Sequence, residues 1–483
     1  MNRPRILSGV PGLDTILNGG FYQSGVYIIQ GKPGAGKTIL ANQICFAHAK
    51  RGGKAAYVTL LTESIPRMFD NLSSMEFFDQ SRSPDQIYYV SAFSVLESEG
   101  LPGLMNLLRS EISTRNPSIL VLDGMVSAAE KASNGLELRK FIHELQGYAS
   151  LFPCTIFLLG TTDTEAAVRV EHTMVEGVID LADTSTAIDF QRSLHISKFR
   201  GGNFIGGRHS FTISNAGTEI YPRLEATIRP TASLDPRPPL ETGLARLDRI
   251  SGIGGLRSSS CTLLSGPPGA GKTTLGAYFL SLASREEPGL LFGFNESPAA
   301  VLSNADAHGI ALSRVMEEGF LHAHWRPNVE NLLDELGHRL IRLVEEHGAR
   351  RVLIDGLNGF VGSAIYPQRI DRFIGALTLE LRRLGATSIF TVEACDGTGR
   401  LPPAVAGLPA LFDNLIILRT SERGLRVTRL LSVTKMRGCG FDQSLHAYSF
   451  EEEGLVIGNP IDGEPAEPDR DGTAGSGRKD DPA

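Results

Sequence analysis

The sequence predicts an α/β chain in which one unit is written twice, each copy a mostly parallel sheet flanked by helices. Three observations predict it. The stretch GKPGAGKT runs from Gly31 to Thr38, and GPPGAGKT runs from Gly266 to Thr273. Further landmarks recur around them in the same order and at nearly the same offset: Asp14 and Asp248, Asp123 and Asp355, Asp163 and Glu393, Lys198 and Lys435. Short continuous apolar runs alternate with amphipathic segments through both halves. Conserved order and spacing of that kind mark an internal duplication of about 230 residues. Continuous apolar strands separated by helices imply parallel sheets covered on both faces.

Taken in order, VYIIQ, AAYVTL, SILVLD and TIFLLG read as strands of the first copy, and CTLLSG, GLLFGF, RVLIDG and TSIFTV as their counterparts. Leu136 to Ala149 and Ile370 to Leu384 carry helical apolar spacing. The first domain is expected over 1–221, after a short arm in the first eight residues. A linker rich in Pro and turn formers follows over 222–240, and the second domain spans 241–458. The tail, 459–483, has almost no large apolar residue and is expected to be disordered.

The totals exclude some roles. The chain has 483 residues and a net charge of −7, which disfavours a protein whose task is non-specific binding to nucleic acid. The five cysteines are scattered with no Cys-x-x-Cys pair, which fits a reducing compartment. The N-terminus lacks the apolar core of a signal peptide, and no uncharged apolar run approaches the roughly 18 residues of a membrane span. A cytoplasmic protein with no membrane partner is the expectation.

Each glycine-rich stretch follows a strand and opens into a helix, which is the context of a phosphate-binding P-loop. Glycines let the backbone turn tightly and point N–H groups at phosphate, and the helix N-terminus adds its positive dipole end. The nucleotide-binding candidates are Gly31, Gly34, Ala35, Gly36, Lys37, Thr38 and Ile39, and Gly266, Gly269, Ala270, Gly271, Lys272, Thr273 and Thr274. Lys37 and Lys272 would reach the β- and γ-phosphates. Thr38 and Thr273 would place a hydroxyl on Mg²⁺, and Asp123 and Asp355 would hold that metal through water. No Asn-Lys-x-Asp guanine reader is present, so ATP is the expected nucleotide.

The GLD…GG stretch ahead of the loop, LF-x-F-x-E-S on the next strand, IDG, and a closing K-x-R-G together resemble the KaiC family of RecA-like ATPases over about residues 6 to 457. The resemblance implies a RecA-like fold, ATP bound at subunit interfaces of a hexameric ring, and a regulatory protein partner. It also implies two adjacent glutamates that activate the attacking water. Here Glu63 and Glu296 stand at the second position, while Thr62 and Asn295 occupy the first, and an asparagine cannot accept a proton. Lys198 with Arg200, and Lys435 with Arg437, resemble the element that touches a neighbouring subunit's γ-phosphate. In the second copy, Pro409 and Ala410 fall where the family's clock members carry phosphate-accepting hydroxyls. Thr420 and Ser421 lie downstream, and Thr184, Ser185 and Thr186 follow the corresponding strand of the first copy, leaving one of these as a different acceptor.

Three functions follow: an ATP-hydrolysing ring that signals through its conformation; a Ser/Thr autokinase of the family's own kind, because the ordinary kinase motifs H-R-D and D-F-G are absent; and a RadA-like DNA motor. The acidic balance counts against the last. The histidines of HAHW, His322 to Trp325, read as a strand end with packed aromatics. Arg350 with Arg351, and Arg382 with Arg383, read as solvated helix ends, and Glu451 to Glu453 as a surface turn.

Overall fold

A computed structural model describes residues 3–162, 170–185, 190–228, 237–423, 426–451 and 454–461. Asp163, Thr186, Glu452, Glu453 and nearly all of the expected tail lie outside the described residues. The chain divides into two compact units, one comprising 1–231, 328–342 and 362–380, the other 232–327, 343–361 and 381–483.

A short ladder joins β1 (Arg5–Ile6) to β2 (Phe21–Tyr22). The expected arm is therefore held in place, with the Arg5 guanidinium donating to the carbonyls of Leu17 and Gly20. The first nine-stranded sheet contains β3 (Val26–Gly31), β4 (Ala55–Thr59), β5 (Ile87–Ser91), β6 (Ile119–Asp123), β7 (Thr155–Gly160), β8 (Gly177–Ser185), β9 (Phe190–Phe199), β10 (Arg208–Ser214) and β11 (Gly217–Tyr221). Its spatial order is β5-β4-β6-β7-β3-β8-β9-β10-β11. Neighbours are parallel from β5 to β8 and antiparallel beyond it.

The second sheet repeats this order with β14 (Leu321–Trp325), β13 (Gly289–Gly293), β15 (Arg351–Asp355), β16 (Thr387–Glu393), β12 (Cys261–Gly266), β17 (Asn414–Arg423), β18 (Arg426–Met436), β19 (His446–Glu451) and β20 (Gly454–Pro460). Two tandem, mostly parallel, RecA-like sheets are thus present.

The parallel strands β3, β4, β6, β12, β13 and β15 are buried at every residue, as apolar runs covered on both faces must be. Alternation within β3 divides the first core. Tyr27 and Ile29 join Leu40, Ala41 and Ile44 of the helix Lys37–Lys50 on one face. Val26 and Ile28 join Leu104, Leu108, Phe141 and Ile142 on the other.

Two expectations need correction. Arg351 is not a solvated helix end. It lies in β15, buried, with its guanidinium on the Glu287 carboxylate and the carbonyls of Glu241 and Phe279. Arg382 is likewise engaged, donating to Asp413 at 3.0 Å. The strand registers also correct one equivalence. Gln30 pairs with Gly160 and Ser265 with Val392, so the first-copy counterpart of Glu393 is Thr161 rather than Asp163.

Candidate nucleotide sites

Parallel strands carry their site at the carboxyl edge, where loops leave for helices. In both units the glycine-rich loop follows the central strand, β3 or β12, and runs into a helix that begins at the lysine: Lys37–Lys50 and Lys272–Ser281. Gly36 and Gly271 have φ of 97° and 88°, in the left-handed region. A Cβ there would also collide with Ile213 or with the Phe450 ring. Only glycine turns the chain into the helix at that point. At the crown of each loop, Gly34 and Gly269, a Cβ would meet nothing within 4 Å, so the backbone is open to an approaching group.

The side chains converge in the same way twice. Lys37 Nζ donates to the carbonyls of Gly31 at 2.8 Å and Lys32 at 2.9 Å. Lys272 Nζ donates to Gly266 at 3.0 Å and Pro267 at 2.9 Å. Thr38 Oγ1 donates to Asp123 Oδ2 at 3.1 Å, and Thr273 Oγ1 to Asp355 Oδ2 at 3.0 Å. Burial lowers both lysines below the usual range. Asp123 offsets part of this for Lys37, and Glu393 followed by Asp355 does so for Lys272. Burial raises Asp123 above the usual carboxyl range, and the bonds from Tyr57 and Thr38 pull it back.

Two supporting hydroxyls escaped the sequence reading. Tyr57 of β4, fully buried, donates to Asp123 Oδ2 at 2.6 Å. Thr391 of β16 donates to Asp355 Oδ1 at 2.7 Å and accepts from the Gly356 N–H at 2.8 Å. Ile39 and Thr274 follow in the first helical turns, and Ala35 and Ala270 are buried under the loops.

A hydroxyl and a carboxylate are hard oxygen donors, the kind Mg²⁺ takes alongside phosphate oxygens and water. Among the described residues no group of three His, Cys, Asp or Glu side chains is placed to hold a metal alone. The donor set therefore fits a metal that arrives with a nucleotide.

Glu63 and Glu296 follow β4 and β13 at the same edge of their sheets, each bound by an asparagine amide from the next helix. The basic pairs lie elsewhere. Lys198 is level with Val178, and Val178 with Ile28 near the start of β3; Lys435 is level with Leu415 and Leu263 in the same way. Both pairs therefore sit toward the sheet edge opposite their own loop. Lys198 Nζ donates to the carbonyls of His172 and Thr173, and Arg200 to that of Thr173. Lys435 Nζ donates to the carbonyls of Pro409 and Phe412, and Arg437 to that of Ala410. His322 and Trp325 are in β14 as expected, with the His322 ring stacked on His347.

Comparison with known proteins gives one answer. A family model described as "ATPase: KaiC" matches residues 6–225 and again 240–461. The circadian clock protein KaiC3 of Synechocystis sp. is 25% identical over 477 residues, covering 95% of this chain and 92% of that protein. The circadian clock oscillator protein KaiC of Picosynechococcus sp. is 25% identical over 475 residues, covering 94% and 89%.

Proposed function

The chain belongs to the KaiC family of ATPases, and from that premise we propose that both units bind ATP with Mg²⁺ and hydrolyse it, the nucleotide state setting the conformation of a ring that acts on a regulatory protein partner. The observation that carries this reading is the repeated constellation of loop lysine, threonine and aspartate, with Thr Oγ1 to Asp Oδ2 at 3.1 and 3.0 Å. Lys37 and Lys272 would neutralise phosphate charge. Thr38 with Asp123, and Thr273 with Asp355, would hold the Mg²⁺, which supplies charge neutralisation at the transferred phosphoryl group. Glu63 and Glu296 would take the proton from the attacking water.

The place of the basic pairs favours composite sites. Because Lys198, Arg200, Lys435 and Arg437 lie toward the far edge from their own loops, phosphate contact by them is a contact in trans, and a hexamer is the assembly proposed. No described helix is long and apolar enough to cross a membrane, and a cytoplasmic location is proposed. Linear domains of 1–221 and 241–458 with a linker between them are proposed on the same footing.

The test is to incubate the chain with ATP and Mg²⁺, then measure assembly mass, bound nucleotide and released phosphate. Ring-sized particles with two nucleotides per chain and phosphate in solution are expected. Monomers that retain no nucleotide would overturn the reading. Mixing an Arg437→Ala chain with a Lys272→Ala chain tests the shared sites, because only mixed interfaces contain both intact halves. The kinase alternative is disfavoured by Pro409 and Ala410, which carry no hydroxyl and whose carbonyls are held by Lys435 and Arg437. Label from γ-labelled ATP on Ser or Thr of the second unit would reinstate it.

A further inference from the structure

Outside the loop and its aspartate, a contact between two side chains at the same edge of the sheet is also made twice. Asn71 Nδ2 donates to Glu63 Oε1 at 2.9 Å, and Asn304 Nδ2 donates to Glu296 Oε2 at 3.3 Å. The settings match. Each glutamate is separated by one serine, Ser64 or Ser297, from a helix, Ile65–Leu72 or Pro298–Ala307. Each asparagine is the seventh residue of that helix. At a rise of 1.5 Å per residue, that position is about 9 Å along the axis from the helix start. The glutamate reaches it because its loop lies back along the helix rather than leading straight into it.

Stability does not explain the repetition. Asn71, Asn304 and Glu296 are exposed and Glu63 is half-buried, and water competes for hydrogen bonds at such a surface. The surrounding positions have meanwhile diverged: Thr62 against Asn295, Ile65 against Pro298, Arg67 against Ala300. What both copies keep is a carboxylate with one oxygen tied. A glutamate in a loop has several rotatable bonds, and a base must stay within hydrogen-bond reach of the water it deprotonates.

The geometry points to Asn71 and Asn304 as positioning residues for hydrolysis, each amide fixing one oxygen of its glutamate and leaving the other to accept the water's proton. The inference rests on the reading of Glu63 and Glu296 as the bases. In the step they serve, the water oxygen bonds to the γ-phosphorus as the bond to the β–γ bridging oxygen breaks. The water's proton passes to the glutamate, and ADP departs with the bond's electron pair. The amide itself exchanges no proton, so its removal alters the rate without altering the chemistry.

The experiment uses a full-length Lys272→Ala chain, in which the first unit alone keeps its loop lysine. Asn71→Ala is expected to lower kcat about tenfold with KM for ATP unchanged, the signature of an interaction expressed in the transition state. Asn71→Asp, which keeps the size but offers no donor, gives the same loss. Combining Asn71→Ala with Glu63→Gln costs no more than Glu63→Gln alone, because the asparagine acts only through the glutamate. Asn304 and Glu296 are tested likewise in a Lys37→Ala chain, with melting curves checking that each variant is folded. An unchanged kcat for both asparagine variants, or an additive loss in the double variant, overturns the positioning role while the glutamates stand. Full hydrolysis by Glu63→Gln overturns the base reading, and the positioning role with it.

Discussion

The aspartate beside each loop is held from opposite sides in the two units. Asp123 takes its second hydroxyl from Tyr57 on β4, and Asp355 from Thr391 on β16. The exchange is reciprocal: the position of Tyr57 is Leu291 in the second unit, and the position of Thr391 is Leu159 in the first. The two solutions are not equivalent. Asp123 receives both hydroxyls on Oδ2, whereas Asp355 receives one on each oxygen and is tied through Thr391 to the Gly356 N–H. A flanking strand on either side can steady the carboxylate, but the choice decides whether the hydroxyls gather on one oxygen, as on Asp123 Oδ2, or are divided between both, as on Asp355.

The comparison is broken earliest, at binding, by the lysines. Lys37→Ala and Lys272→Ala should each weaken ATP binding in their own unit on the order of a hundredfold. Nucleotide per chain, read after gel filtration, should fall by half in each. Loss of all nucleotide from one substitution would mean that the units do not bind independently.

Next come the glutamates. Glu63→Gln and Glu296→Gln should each slow phosphate release from their own unit by about 10² to 10⁴ with ATP binding retained. Unequal losses would show that Thr62 and Asn295 leave the two sites differently equipped.

Acidity sharpens the contrast. Burial raises Asp123, so it takes up a proton at a higher pH than an ordinary aspartate. Metal needs the ionised form, so Mg²⁺-dependent nucleotide binding by the first unit should weaken as pH falls through that raised value. Tyr57→Phe removes a bond that favours the ionised form and should move the fall to higher pH. Titrating binding in the Lys272→Ala chain, with and without Tyr57→Phe, checks both statements.

The smallest effect expected is on stability. Thr391→Val strands a buried Gly356 N–H and should cost the second unit about 1–3 kcal/mol, read by denaturant unfolding.

Much of this was legible in the sequence, for a physical reason. Central parallel strands are apolar on both faces, so VYIIQ or RVLIDG announces itself without reference to any partner, and a loop between such a strand and a helix carries its chemistry in consecutive residues. What escaped depends on pairing. Tyr57 and Thr391 become relevant only once the register sets β4 beside β6 and β16 beside β15. Asn71 and Asn304 escaped because a separation of eight residues that begins outside a helix matches no helical period. Their signal was the duplication itself, which holds glutamate and asparagine at one offset in both copies. Arg351 misled because a charge at the start of a strand looks like the end of the preceding helix. The antiparallel strands β9 to β11 and β18 to β20 are only half-buried in part and give weaker runs.

The separation of loop and basic pair across the sheet gives each unit a front and a back. Copies that meet through those two surfaces associate head to tail, joining unlike faces, and such contacts either close into a ring or run on as a filament. On the proposed trans role of the basic pairs, every subunit would then complete a neighbour's chemistry while depending on another for its own. A single copy lacking Arg200 would be poor at the next subunit's work rather than its own, so a defective allele would act dominantly in a mixed population, its harm falling on the intact neighbours.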